Sequence, residues 1–230
     1  EECCIMERDR LSIHIWSDAE ITVEERKNCI KTVKRITMND FIHCIQDSTK
    51  DFIPIRNIVL PKNALFHSFS NESNKFSAAL EYPYDRADIT YMKTVYRNFP
   101  LPRLVFGFKV NADGYIQQVC LGVAKNCRIL REDTPMYHYP FSNVLKNFYL
   151  CTGGNLLPEI KKIHALSYMP DYILGLPNND DYFQHKNNKL HLSHRELMEH
   201  LADKSPEYYY SDILIPSGKT LADFYKEVSL

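Results

Sequence analysis

Glycine is missing from the first 106 residues of this 230-residue chain, and all seven glycines lie at or after Gly107. The N-terminal part must therefore turn with Asn, Asp, Ser and Pro, each of which favours turn backbone. No apolar run approaches about 18 residues, so we expect no membrane-spanning helix and no membrane partner. A secretory leader is not evident either, and we expect a cytoplasmic protein.

An excess of charge of either sign is also missing. The net charge is -1; residues 1–100 carry 14 basic and 15 acidic side chains, and residues 101–230 carry 14 of each. A nucleic-acid-binding domain usually presents a basic face or stripe to the phosphates. The balanced charge therefore argues against a nucleic-acid partner.

Cysteine pairs with the spacing of a zinc site are absent. The seven cysteines, an odd number, lie at positions 3, 4, 29, 44, 120, 127 and 151. Cys120 and Cys127 are too far apart for a zinc knuckle, and the neighbouring His191 and His194 have no matching cysteine pair. We expect reduced thiols, with Cys29, Cys44 and Cys120 in the core, and neither a metal nor a cofactor.

The N-terminal part shows the signals of a mixed fold in a composition that is 44% hydrophobic and 25% charged. Residues 11–16 alternate apolar and polar side chains and predict a strand. Thr22 and Glu25 match a capping box, which predicts a helix to about Arg35. Asn39 is expected to cap a second helix, and residues 76–82 and 89–96 are predicted to pair as strands.

The C-terminal part has a clearer hairpin signal. Residues 103–110 and 115–124 are rich in β-formers, and Asp113-Gly114 supplies the turn between them. We expect an antiparallel sheet of at least four strands with helices on one face. The predicted helices span residues 158–166, 193–202 and 220–228.

Strands precede helices along the chain, so the predicted class is α+β, an antiparallel sheet with flanking helices. Two prolines in residues 97–102 force extended backbone and indicate a seam. We therefore divide the chain into an N-terminal α/β lobe, residues 1–99, and a C-terminal lobe, residues 100–230.

Cys151 differs from the other cysteines in its surroundings. It lies near the end of a long irregular stretch, residues 126–155, beside Gly153 and Gly154, and a helix is predicted to begin near Pro158. Backbone N–H groups at such a turn can stabilise a thiolate or an oxyanion. On these local grounds a reactive thiol and a small residue buried in a tight turn are both open.

The surroundings of Cys151 also contain a spaced motif. Asn143 precedes Cys151 by eight positions, and the apolar Leu150 comes directly before the cysteine. This pattern resembles ubiquitin-conjugating enzymes, in which a His-Pro-Asn triplet lies eight residues before the catalytic cysteine. The chain is more specifically similar to the prokaryotic ubiquitin-conjugating-enzyme-like family D, which includes protein B of the PRTRC cassettes. The segments that carry this likeness are residues 60–65, 102–106, 134–137, 140–143, 151–155 and 220–221.

The chain departs from the ubiquitin-conjugating pattern at three places. Phe141 and Ser142 stand where the triplet has histidine and proline, and Asn147 stands where a glycine is usual. Asn tolerates left-handed backbone, so we expect the turn to survive at Asn147. The Trp-Pro pair that commonly follows the cysteine is absent.

The resemblance implies a ubiquitin-conjugating-like C-terminal lobe that is a cysteine-dependent transferase. A ubiquitin-like protein would arrive as a thioester on a ThiF-like activating enzyme, be taken up by Cys151, and pass to an amine. Asn143 would position the loop or stabilise the oxyanion. The supporting loop residues would be Tyr139, Pro140, Gly153, Gly154 and Asn155.

Two further questions stay open at this stage. Four side chains are candidates for the base of the second step: His138, His164, Asp181 and His185. The alternative function is a catalytically silent scaffold of the same fold, which binds a ubiquitin-like protein and its activating enzyme.

Overall fold

The computed structural model describes residues 10–17, 20–27, 30–48, 58–70 and 74–230. The chain forms two compact units, residues 1–56 and residues 57–230. The division between them lies between residues 56 and 57, whereas the prolines placed a seam near residue 100. Residues 94–101 form one continuous strand, so the backbone runs through that predicted seam without a break in structure.

The smaller unit holds a three-stranded antiparallel sheet formed by β1 (Arg10–Ile15), β2 (Ile21–Lys27) and β3 (Ile30–Ile36), with β2 in the centre. The strand predicted at residues 11–16 is confirmed. The helix predicted from Thr22 is wrong, because this segment forms β2 and β3. β-Branched residues recur in both strands, and cross-strand pairing outweighs the local capping signal. Cys29, predicted in the core, lies outside the described residues.

One helix, α1 (Met38–Ser48), follows the small sheet. Its cap is Thr37 rather than the predicted Asn39: the Thr37 hydroxyl accepts from the Asp40 N–H at 3.1 Å, and the Asp40 carboxylate accepts from the Thr37 N–H at 3.3 Å. This reciprocal pair is a capping box. Cys44 of this helix is exposed, so its expected place in the core is wrong.

The described residues of the larger unit form eight strands. They are β4 (Ala64–Phe69), β5 (Phe76–Tyr82), β6 (Asp85–Tyr91), β7 (Thr94–Leu101), β8 (Leu104–Val110), β9 (Ile116–Ala124), β10 (Pro135–Tyr137) and β11 (Pro216–Thr220). Six of them form one antiparallel sheet in the order β11-β10-β9-β8-β5-β4, which confirms the predicted α+β class. The remaining two, β6 and β7, pair with each other and with no other strand in the described chain.

The predicted hairpin of residues 103–124 is confirmed as β8 and β9. Its turn ends at Gly114, whose φ of 91° lies in the left-handed region. The side chain of Asn111 accepts hydrogen bonds from the N–H groups of Asp113 and Tyr115, at 3.1 and 2.8 Å. Asn111 and Gly114 therefore fix the turn and with it the register of the two strands.

The strand pair predicted from residues 76–82 and 89–96 is wrong. β5 lies between β4 and β8 inside the sheet, and β6 pairs with β7 instead. Pro100 is accommodated in β7 because this strand belongs to a two-stranded ribbon, where a missing N–H is tolerated.

Helices lie over both faces of the large sheet, not over one face as predicted. On one face Leu104, Phe106 and Phe108 join a core that includes residues of α2 (Met169–Leu174) and α3 (His194–Leu201). The opposite face packs against α4 (Leu221–Val228). A Cβ atom at Gly107 would lie 2.3 Å from Val228 Cγ2, so the close approach of α4 requires glycine there.

Two of the three helix predictions for this unit are confirmed. α3 begins after Ser193 and α4 after Thr220, each with a capping box. The helix predicted at residues 158–166 is misplaced, since helical backbone begins only at a 3-10 turn, Ile163–Tyr168, and continues into α2. The described part of this unit also contains a 3-10 turn at His185–Asn187 and a π turn at Tyr209–Ile213.

Candidate active site

The structure brings Asn143 and Cys151 together across a tight loop. The Cys151 N–H donates to the Asn143 carbonyl at 2.8 Å, and Val144 and Leu150 form an antiparallel bridge. At the tip, the Leu145 N–H donates to the Tyr149 carbonyl at 2.9 Å. The eight-residue spacing therefore spans one small hairpin, and its two ends are neighbours.

Two residues with left-handed backbone shape this loop, Asn143 with a φ of 66° and Phe148 with a φ of 68°. The expectation that Asn147 takes the left-handed place of the usual glycine is wrong, since Phe148 takes it. That conformation costs about 1–3 kcal/mol for a residue other than glycine. Burial of the Phe148 ring against Phe224, with centroids 5.1 Å apart, compensates for it.

The loop is joined to the sheet directly before the cysteine. The Leu150 N–H donates to the Val119 carbonyl and the Leu121 N–H donates to the Phe148 carbonyl, both at 2.8 Å. The side chain of Leu150 is buried. Cys151 therefore follows a segment that is held against β9 and cannot shift independently of it.

Cys151 and Asn143 line one cavity of about 90 Å³. Its other polar lining residues are Thr152, Asn155, Asn178, Asn179 and Asp181, and Gly153 lines it as well. Its apolar lining residues are Ile89, Leu121, Tyr139, Leu150, Ile173, Leu174, Leu176 and Pro177. A half-buried thiol thus borders an apolar cavity with several convergent polar groups, which is the usual form of a small binding or active site.

The other cysteines of the larger unit have different surroundings. Cys120 is buried in the sheet as predicted, and burial raises the pKa of its thiol. Cys127 is half-buried, and its thiol donates to the Ile129 carbonyl at 3.3 Å. Neither residue lines the Cys151 cavity.

The predicted supporting residues lie around the loop. Gly153 has a φ of 60°, which favours glycine, whereas Gly154 has open space beside it. Asn155 closes this turn, because both its backbone N–H and its side-chain amide donate to the Thr152 carbonyl. No helix begins here: the expected helix start near Pro158 is absent, so a helix N-terminus does not stabilise a thiolate at Cys151.

The residues that replace the usual His-Pro pair are part of the core. Phe141 is buried and packs edge-on against Phe99 and Tyr209, and Ser142 is fully buried. Pro140 is buried too. Tyr139 lines the cavity, and burial raises the pKa of its hydroxyl. The triplet therefore contributes only its asparagine to the cavity.

One of the four candidate bases, Asp181, lies at the cavity. Its carbonyl accepts from the Asn143 N–H at 2.8 Å, so it directly adjoins the loop. His138 borders a separate pocket of about 30 Å³, and burial, with nearby lysines, lowers its pKa. His164 and His185 line neither cavity.

The run of Asn178 to Asp181 was missed as a site by sequence reasoning, apart from Asp181 itself. A polar run after Pro177 is a turn signal, but nothing in its spacing relates it to Cys151. In the described part of the chain, no three His, Cys, Asp or Glu residues converge as a metal site would need. No helix among the described residues is long and apolar enough to cross a membrane.

The sequence matches the model of prokaryotic E2 family D over residues 60–217, well over half of the chain. No curated protein and no solved structure matches it. The matched region holds the loop, the cavity and most of the large antiparallel sheet. The chain therefore belongs to prokaryotic E2 family D, which gives it a role related to ubiquitin conjugation, with ubiquitin-like proteins and activating enzymes as its general class of partners.

Proposed function

We propose that this chain carries a ubiquitin-like protein as a thioester on Cys151 and passes it to an amine. In the first step the Cys151 thiolate attacks the carbonyl of the carrier's thioester; a new C–S bond forms and the activating enzyme's thiolate leaves. In the second step an amine attacks, a C–N bond forms, and the Cys151 thiolate leaves. The observation that carries this proposal is the shared cavity of Cys151, Asn143 and Asp181.

Asn143 is the residue best placed to stabilise the oxyanion of both steps. The Cys151 N–H, which often serves this purpose, already donates to the Asn143 carbonyl. Three other asparagines line the cavity, but their side-chain amides donate to protein acceptors: Asn155 to Thr152, Asn178 to Thr90 and Asn179 to Asp181. Among the described residues, the Asn143 side chain has no hydrogen-bond partner, so its N–H donors are available to a substrate.

Asp181 is the proposed acceptor of the proton that the amine loses in the second step. Its carboxylate keeps one hydrogen bond from the Asn179 side-chain amide at 2.7 Å, which restricts its rotamer. A carboxylate at the rim of the same cavity also attracts a lysine ammonium before it is deprotonated.

The scaffold function is the alternative, and one observation favours it. Phe141 and Ser142 are buried, so two of the three triplet positions supply packing instead of polar groups. A scaffold would bind the same partners through this fold without a covalent intermediate.

The experiment incubates the protein with ATP, its cognate activating enzyme and its ubiquitin-like partner, and separates the products with and without reductant. We expect an adduct that excess thiol cleaves, since thiols cleave thioesters but not amides. Cys151→Ala should abolish it and Cys151→Ser should leave a more durable oxyester. Cys120→Ala and Cys127→Ala are the matched controls and should keep it. No adduct with a verified cognate pair would favour the scaffold function instead, and an adduct that persists in Cys151→Ala would exclude Cys151 as the carrier of the thioester.

A further inference from the structure

One side of the cavity is formed by a segment with little regular structure. We call this segment, residues 176–181, the cavity wall. Five of its six residues line the cavity. It lies beside β6, where the Asn178 N–H donates to the Thr90 carbonyl at 2.8 Å and the Met92 N–H donates to the Asn178 carbonyl at 2.7 Å. Beyond Asn178 one attachment is the backbone bond from the Asn143 N–H to the Asp181 carbonyl, and a side chain makes another.

Asp180 supplies that attachment. It is the one wall residue that does not line the cavity. Its Oδ1 accepts from the Tyr91 hydroxyl at 2.8 Å and lies 3.2 Å from His194 Nδ1. Tyr91 belongs to β6 and His194 opens α3, so a single carboxylate oxygen ties the wall to two separate elements.

His194 is held rigidly for this contact. Its ring stacks on Phe183, with centroids 4.7 Å apart and planes 5° apart, and lies 4.4 Å from the Tyr91 ring. Its ring centroid also lies 5.9 Å from that of Phe141, the residue in the first triplet position. The same histidine therefore touches the wall and the segment that leads into the Asn143 loop.

The chemistry of His194 shows that the contact with Asp180 matters. The side chain is buried, and burial lowers its pKa, so the ring is neutral at neutral pH. Nδ1 faces a carboxylate and therefore carries the hydrogen. Nε2 is buried with no hydrogen-bond partner in the described chain, which costs free energy. An apolar side chain would avoid that cost but would lose the bond to Asp180.

We propose that Tyr91 and His194 are positioning residues, which hold Asp180 and thereby fix the cavity wall beside Cys151. The wall carries Asp181, so its placement sets where that carboxylate lies relative to the thiol. The effect on amine transfer rests on the proposed function, whereas the effect on access to Cys151 does not.

The test compares Asp180→Ala with Asp180→Asn. The asparagine keeps an oxygen that accepts from both Tyr91 and His194, and the alanine does not. Asp203→Ala, an exposed aspartate outside the cavity, is the matched control. The first readout is the rate at which iodoacetamide alkylates Cys151, followed by mass spectrometry of its peptide at constant pH.

In Asp180→Ala the loss of two hydrogen bonds should raise the alkylation rate about tenfold, because the wall opens more often. Asp180→Asn and Asp203→Ala should stay near the unmodified protein. Tyr91→Phe removes one donor without a change of volume and should give about a threefold increase. The second readout, transfer of the carrier to an amine, should slow about tenfold in Asp180→Ala and recover in Asp180→Asn.

The outcomes separate this inference from the proposed function. If Asp180→Ala alkylates like Asp180→Asn or like Asp203→Ala, the positioning role is overturned, whether or not adducts form. If the alanine and asparagine variants differ in alkylation but none of the proteins forms a thiol-sensitive adduct, the positioning role stands and the thioester function falls. A thermal melt of each variant should show folded protein at the assay temperature.

Discussion

The loop of residues 143–151 and the cavity wall of residues 176–181 line the same cavity, but different interactions hold them. The loop closes on itself through backbone hydrogen bonds and continues the sheet beside β9. Beyond Asn178 the wall is held by Asp180, through the side chains of Tyr91 and His194, and by the Asp181 carbonyl, which accepts from the Asn143 N–H. The loop should therefore tolerate changes at exposed side chains, whereas the wall should respond to the loss of single polar atoms.

The largest effect that we expect is a loss of carrier-transfer rate when Asn143 of the loop is replaced. Asn143→Ala should lower the rate of carrier transfer by about 10²–10³, the usual effect of removing one oxyanion donor. Single-turnover discharge of a preloaded adduct to an amine measures this rate. Asn155→Ala is the matched control, because its amide already donates to Thr152. Equal losses in the two variants would contradict a special role for the Asn143 amide.

The attachment of the loop to the sheet can be tested by stability. Leu150→Ala should lower the free energy of unfolding by about 2–5 kcal/mol, because Leu150 is buried and a cavity remains. Tyr149→Ala, at the neighbouring exposed side chain, should change it by about 0.5 kcal/mol. Urea unfolding at pH 7.5 measures both. A small effect at Leu150 would mean that backbone bonds alone hold the loop.

The wall should make stability depend on pH through His194. Burial lowers the pKa of His194, and Asp180 opposes this shift only in part. Above a pH of about 6.5 the residue is neutral in both the folded and the unfolded chain, so its contribution to stability is fully present. As the pH falls below that value, the unfolded chain binds the proton first and stability is lost until the folded pKa is passed.

Replacing His194 should reduce that loss. In His194→Asn the side-chain amide can still donate to Asp180 but does not titrate. The slope of unfolding free energy against pH, measured by urea unfolding between pH 7 and 5, should decrease by at most about 1.4 kcal/mol per pH unit. His138, whose pKa is also lowered, keeps its own contribution in this variant. An unchanged slope would show that His194 does not titrate on unfolding.

The contrast between local and long-range interactions also explains which elements could be predicted from the sequence. The Asp113-Gly114 turn and the capping boxes of α3 and α4 depend on neighbouring residues, and the structure confirms them. The Thr22–Glu25 signal is equally local, yet strand pairing within the small sheet overrides it. Local chemistry is therefore decisive only where no long-range pairing competes.

The site divides in the same way. The proximity of Asn143 and Cys151 could be predicted from their spacing, because one short hairpin contains both residues. The cavity wall could not be predicted, because its hydrogen bonds join residues that lie far apart in the sequence and depend on how β6 and α3 pack. The left-handed Phe148 was likewise missed, because its conformation depends on burial against α4.

The most direct test of the central claim locates the bond between carrier and protein. The thiol-sensitive adduct is digested under acidic, non-reducing conditions, and the peptide that carries the C-terminal fragment of the ubiquitin-like protein is identified by mass spectrometry. We predict that the fragment is attached to the peptide containing Cys151, and that hydroxylamine releases it. Attachment to the peptide of Cys120 or Cys127, or to a lysine in every molecule, would contradict the assignment of Cys151 as the acyl carrier.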